Sequence, residues 1–141
     1  MSEPTVADAD PVSALRVWLL EHPEVADALG GPGRVSGIAE APWPHLRIDH
    51  GPGGDLRDMN WAISPEVTLE AYGDPGGWPG KAELRKILLR CAQAAQQLGE
   101  APHVPGQPVL SGIKPSGLLV WSPLVDGQPR WVMNLSVTVH P

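Results

Sequence analysis

The chain has 141 residues, a formal net charge of -6 and a single cysteine, which suits one domain spanning 1–141 and leaves too little length for two comfortable cores. Displacing counterions from phosphates takes clustered Lys and Arg, so the acidic balance argues against a nonspecific nucleic-acid surface. The 17 prolines and 16 glycines fall just under the ~25–30% share at which disorder becomes the better reading, so long turns in an ordered domain are expected.

The opening MSEPTVADAD has neither a basic n-region nor an apolar h-region, and no apolar run approaches the ~18 residues of a membrane span. Neither secretion nor membrane insertion is expected. Residues 1–9 read as frayed. Asp10 is an N-cap candidate and Pro11 suits the first helical position, where a missing N–H costs nothing. Val12, Leu15, Trp18 and Leu19 then share a face. Pro23 interrupts this helix, and EVADALGG supplies one more short helical piece that Gly30 and Gly31 stop.

From Gly31 to Pro44 the chain reads as loop, tacked to the core by Val35 and Ile38. In HLRID, Leu46 and Ile48 alternate with His45, Arg47 and Asp49, the pattern of a short half-buried strand. The stretch from His50 to Pro65, HGPGGDLRDMNWAISP, is too long and polar for a tight turn and reads as a projecting loop or arm. EVTLEAY then alternates, with Val67, Leu69 and Ala71 on one side and Glu66, Thr68, Glu70 and Tyr72 on a wet one.

Lys81 to Leu98 carries the strongest period in the chain. Leu84, Ile87, Leu88, Cys91, Ala95 and Leu98 recur at offsets of three and four, so one face of an amphipathic helix must be covered. Burying its four large aliphatics contributes on the order of 6–12 kcal/mol at ~1.5–3 each. Cys91 sits on that stripe, which reads as a reduced, buried thiol and excludes a disulfide framework. Gly99 marks the helix end. A Pro-rich connector leads to a strand from Val109 to Leu124. A turn at Asp126-Gly127 follows, and the closing strand, Arg130 to His140, places Trp131, Met133, Leu135, Val137 and Val139 on one face. The expected fold is α+β: about four strands in a mainly antiparallel sheet, order α-β-β-α-β-β, with both helical regions on its apolar side.

Chemistry-bearing patterns are sparse. His45, Asp49 and His50 offer too few convergent ligands for zinc, and a solvated strand face is the better reading. GPGGD lacks a following GK[ST] and reads as a turn rather than a phosphate cradle. No nucleophile elbow or activated cysteine is present, so neither catalysis nor a cofactor is expected. The chain has six Trp and no Phe. Trp18 and Trp131 read as core, whereas Trp43, Trp61 and Trp78 lie in loops, either folded back or presented to a partner. With Asp55, Arg57 and Asp58 of the arm they form the candidate set for a subunit or partner interface, the alternative for these three charges being solvated loop.

The succession HPEVADALGG, GRVSG, APWPHLRI, GGDLRDMNWAISPEVTLEAYGD, PGKAELRKILLRCAQAAQQL, SGIKPSGLLVWSPL and GQPRWVMNLSVTVHP resembles, in order and rough spacing over nearly the whole chain, the tail terminator (tail completion) proteins of long-tailed, siphovirus-type bacteriophages. The resemblance implies a non-enzymatic virion protein that is assembled in the host cytoplasm. It implies a ring, usually a homohexamer, capping the tail tube protein and later joining a neck or head completion protein. DNA would pass through the lumen without being bound specifically. Rival readings are another head-tail connector or head completion ring subunit, and a monomeric ligand-binding or hydrolytic domain built on HLRIDH.

Overall fold

The computed structural model describes residues 9–55, 62–100 and 106–140. Helix α1 (Pro11–Glu21) starts where Asp10 accepts a hydrogen bond from the Val12 amide at 3.0 Å, satisfying one of the free N–H groups of the first turn. Helix α2 (Pro23–Leu29) follows at once, with His22 between the two, and ends on Gly30, whose φ of 82° is the left-handed conformation that glycine adopts without a Cβ clash. Ala9 packs against the core, and the rest of the stretch expected to fray, residues 1–8, lies outside the described residues.

Five strands form one sheet in the order β1-β2-β3-β5-β4: β1 (Val35–Ser36), β2 (His45–Asp55), β3 (Ser64–Tyr72), β4 (Val109–Trp121) and β5 (Arg130–His140). All neighbours are antiparallel except β1 on β2. Two features differ from the sequence expectation. The segment expected as loop contains the two-residue β1, whose Val35 is buried while Ile38 projects, 61% exposed. The arm expected at 50–65 is in part strand: β2 continues to Asp55 and β3 already begins at Ser64.

That extension depends on glycine. A Cβ on Gly51 would lie 2.7 Å from the Glu66 Cβ, and one on Gly54 2.6 Å from the Pro65 Cα, so the two backbones approach more closely than side chains permit. The register shifts between His50 and Gly54. Gly-Pro-Gly-Gly carries no β propensity, and its strand character comes from a partner the local pattern does not reveal.

Helix α3 (Lys81–Leu98) lies across one face of the sheet and buries Leu84, Leu88, Cys91, Ala95 and Leu98 against Val67, Leu69, Leu135 and Val137. Helices α1 and α2 cover the remainder, adding Leu15, Leu19, Val25 and Leu29. Two tryptophans close this layer with their N–H satisfied: Trp18 Nε1 donates to the Ala94 carbonyl at 2.7 Å, and Trp131 Nε1 to that of Lys81 at 2.9 Å. All three helices share this side, so among the described residues the opposite face of the sheet carries no helix.

Candidate interaction surfaces

The helix-free face is organised around one carboxylate. Glu70, on the central strand β3, is 7% exposed although none of the described helices covers it. Register alignment brings Arg47 of β2 opposite it, and both arginines of the neighbourhood close over it: Arg47 donates to one carboxylate oxygen and Arg130 Nη1 to the other at 3.2 Å. The Tyr72 hydroxyl donates to the same group at 3.3 Å. Each arginine is held at its far end as well. Arg47 reaches Asp49 at 2.7 Å and the Gly37 carbonyl at 3.0 Å, and Arg130 binds the Ser122 carbonyl at 2.8 Å and its hydroxyl at 2.9 Å. Burial by itself would lower the Arg47 pKa, but the bond to Glu70 and the nearby carboxylates outweigh it and hold the guanidinium above its ordinary value. The Asp49 carboxyl is pulled below its usual range, first by the His50 amide, which donates to it at 2.8 Å, and then by Arg47.

The pairing continues along the face. Thr68 donates to Asn134 at 2.7 Å, and Ser116 to Glu66 at 3.4 Å. Side chains that the alternation of β3 assigned to solvent therefore bond groups of the neighbouring strands. His45 departs from the expected solvated face in the same way. It is 1% exposed, packed edge-on against Trp43 with centroids 6.5 Å apart, and its Nε2 lies 2.9 Å from the Ser36 hydroxyl. Burial depresses its pKa below the ordinary histidine value. Asp49 is four residues along the strand, about 13 Å away at 3.3 Å per residue, so the two do not share a ligand sphere. Among the described residues no three His, Cys, Asp or Glu side chains come together.

The loops at the Tyr72 end of the sheet present the second surface. Trp43 folds back half-buried, its carbonyl accepting from Arg34 Nη1 at 2.9 Å, whereas Trp78 stands 63% exposed. Between Trp78, Pro44, the end of α2 and the Glu83–Arg90 flank of α3 runs a shallow groove of about 310 Å³. Val125, in the β4–β5 turn, is fully exposed. Of the other residues singled out from the sequence, Asp55 ends β2 with its side chain outside the described part, and Arg57, Asp58 and Trp61 lie outside the described residues. No proximity between these and Trp43 or Trp78 is shown.

The third surface is the β4 edge, which the sequence reading missed. Its first half is protected by Lys114, Pro115 and register shifts on either side of them. Its second half exposes Leu118 (80%) and Val120 (45%), while Leu119 and Trp121 turn towards the core. The run Leu118-Leu119-Val120-Trp121 carried the signal, because alternation forces two of four consecutive apolar residues outward.

No protein-family model matches the chain, and no curated protein does. Among solved structures, a chain of "Virion of native gene transfer agent (GTA) particle" superposes with a TM-score of 0.65, covering 99% of this chain and 100% of that one at 14% sequence identity. At that identity the likeness is one of fold, extending over the full length of both chains.

Proposed function

We propose that this chain is a structural virion protein that closes the end of a tail tube as a homo-oligomeric ring and forms the joint to the head. The observation that carries the reading is the match of fold with a chain of a gene transfer agent virion, which covers 99% of this chain and 100% of that one. The sequence resemblance to tail terminators points the same way, and the described surfaces suit it. They offer ion-paired and apolar contact areas and no convergent set of nucleophile, base and oxyanion donors. The role is geometric, without bond-making chemistry. Trp43, Trp78 and the arm residues Asp55, Arg57, Asp58 and Trp61 are the proposed contacts to the tube or the next subunit.

The test is negative-stain imaging of the purified protein mixed with its tube protein. Rings seated at blunt tube ends, with elongation stopped, are the expected result. Tubes that lengthen unchanged and bind none of the protein would refute the capping role. The same fold match fits a neck ring subunit, whose mark would be binding to the head-proximal ring and not to the tube.

A further inference from the structure

The two edges of the sheet carry opposite charge. On the β4 side, Lys81 sits with Nζ 5.2 Å from the Trp121 ring centroid, Arg85 follows one turn along α3, and Lys114 projects from β4 itself. This flank of α3 overlooks β4, since Gln96 on the same flank reaches the Ile113 carbonyl at 3.5 Å. On the β1–β2 side lie Asp10, Glu40 and Asp49, with Asp10 and Asp49 about half exposed. Two arginines on that side are engaged inward, Arg47 by Glu70 and Asp49 and Arg34 by the carbonyls of Leu29 and Trp43, while Arg16 on α1 is exposed. Exposed apolar side chains accompany these charges: Leu118 and Val120 on the helix-free side of β4, across the strand from α3, and Ile38 just past β1.

These patches stand at one level. Register partners run straight across the sheet from Ser36 through Arg47, Glu70 and Val132 to Val120, so Ile38, two residues past Ser36, and Val120 flank the same row. A second row joins Asp49 through Thr68 and Asn134 to Ser116, two residues from Lys114. A closed ring is generated by rotation without rise, so the two surfaces that meet must lie at the same height along its axis. With the axis along the strands, they do.

We propose that copies of this chain join head to tail, the cationic β4 edge of one against the acidic β1–β2 edge of the next, burying Leu118 and Val120 over Ile38. The inference rests on the ring reading and names its subunit contact. Pro115 and the bulged register make β4 a poor template for continuing the backbone ladder across subunits. The contact is therefore made by side chains, an apolar centre rimmed by opposite charges that set the register.

Charge exchange tests it. One variant carries Arg85→Glu and Lys114→Glu, and a second carries Glu40→Lys and Asp49→Lys; thermal melts establish that both fold. Each variant then has two edges of like sign and is expected to lose the oligomer that the wild type shows in native mass spectrometry. Mixing the two restores complementary edges at every contact, so assemblies with equal numbers of each variant are expected. If both variants assemble alone as the wild type does, or the mixture stays dissociated, this contact is wrong and the ring reading stands. A wild type that remains monomeric both alone and with its tube protein overturns the ring and this contact with it.

Discussion

Glu70→Gln is the sharpest test of the helix-free face. The carboxylate receives three donors, from Arg47, Arg130 and Tyr72, with its side chain only 9% exposed. Hydrogen bonds to a charged group contribute about 1.5–3 kcal/mol each, and stripping one partner from a fully buried pair costs about 3–5 kcal/mol. Here the two arginine side chains are 29% and 24% exposed and regain water when the charge is removed. They also keep their other anchors at Asp49 and Ser122. The net destabilisation should therefore be about 2 kcal/mol. At ~3–4 °C per kcal/mol for a chain of this size, Tm falls by roughly 6–8 °C. The assay is thermal and urea unfolding followed by far-UV circular dichroism, at a concentration where wild type and variant share one oligomeric state. Glu70→Leu combined with Arg47→Met and Arg130→Met should recover most of the loss, because no buried charge is then left without a partner, and Asp49, which loses Arg47, is about half exposed and keeps the His50 amide. A Glu70→Gln variant melting within ~1–2 °C of wild type would show the network to be worth no more than an exposed ion pair, and the reasoning would fail.

Leu88→Ala, at a fully buried position of α3, should cost about 2–5 kcal/mol through lost transfer energy and the cavity left behind, read from the shift in urea midpoint. His45 is held neutral by burial, so its folded pKa lies below its unfolded one. The stability it contributes is present above the unfolded value of about 6.5 and is lost as pH falls through the folded pKa. Urea midpoints measured between pH 7 and pH 5 should fall in the wild type and flatten in His45→Gln; Asp49 does not disturb this window, because its depressed pKa moves its own loss below the usual carboxylate range. The Cys91 thiol, pushed up to about 12 by burial, should resist a thiol-reactive disulfide at pH 8 in the native protein and react stoichiometrically once denatured. Rapid native labelling would mean that α3 opens readily.

Local pattern was enough for the elements whose covered face is apolar. The three-and-four spacing from Leu84 to Leu98 and the alternation from Trp131 to Val139 each leave one arrangement that hides the large side chains, and both elements stand where the sequence puts them. Capping at Asp10 and the stop at Gly30 are likewise decided within a few residues. The other face of the sheet is different, because Glu66, Thr68, Glu70 and Tyr72 alternate identically whether water or protein groups meet them. Only the fold brings Arg47 and Arg130, 23 and 60 residues away in the chain, onto Glu70. The same holds for Gly51 and Gly54, whose strand conformation exists because β3 lies too close for a Cβ. It holds again for the two edges, since Asp49 and Ser116 come to one level only once the strands between them are laid side by side. Hydrophobic period is written along the chain because it concerns one face against its neighbour; charge pairing and edge geometry are relations between segments, and those segments have to meet first.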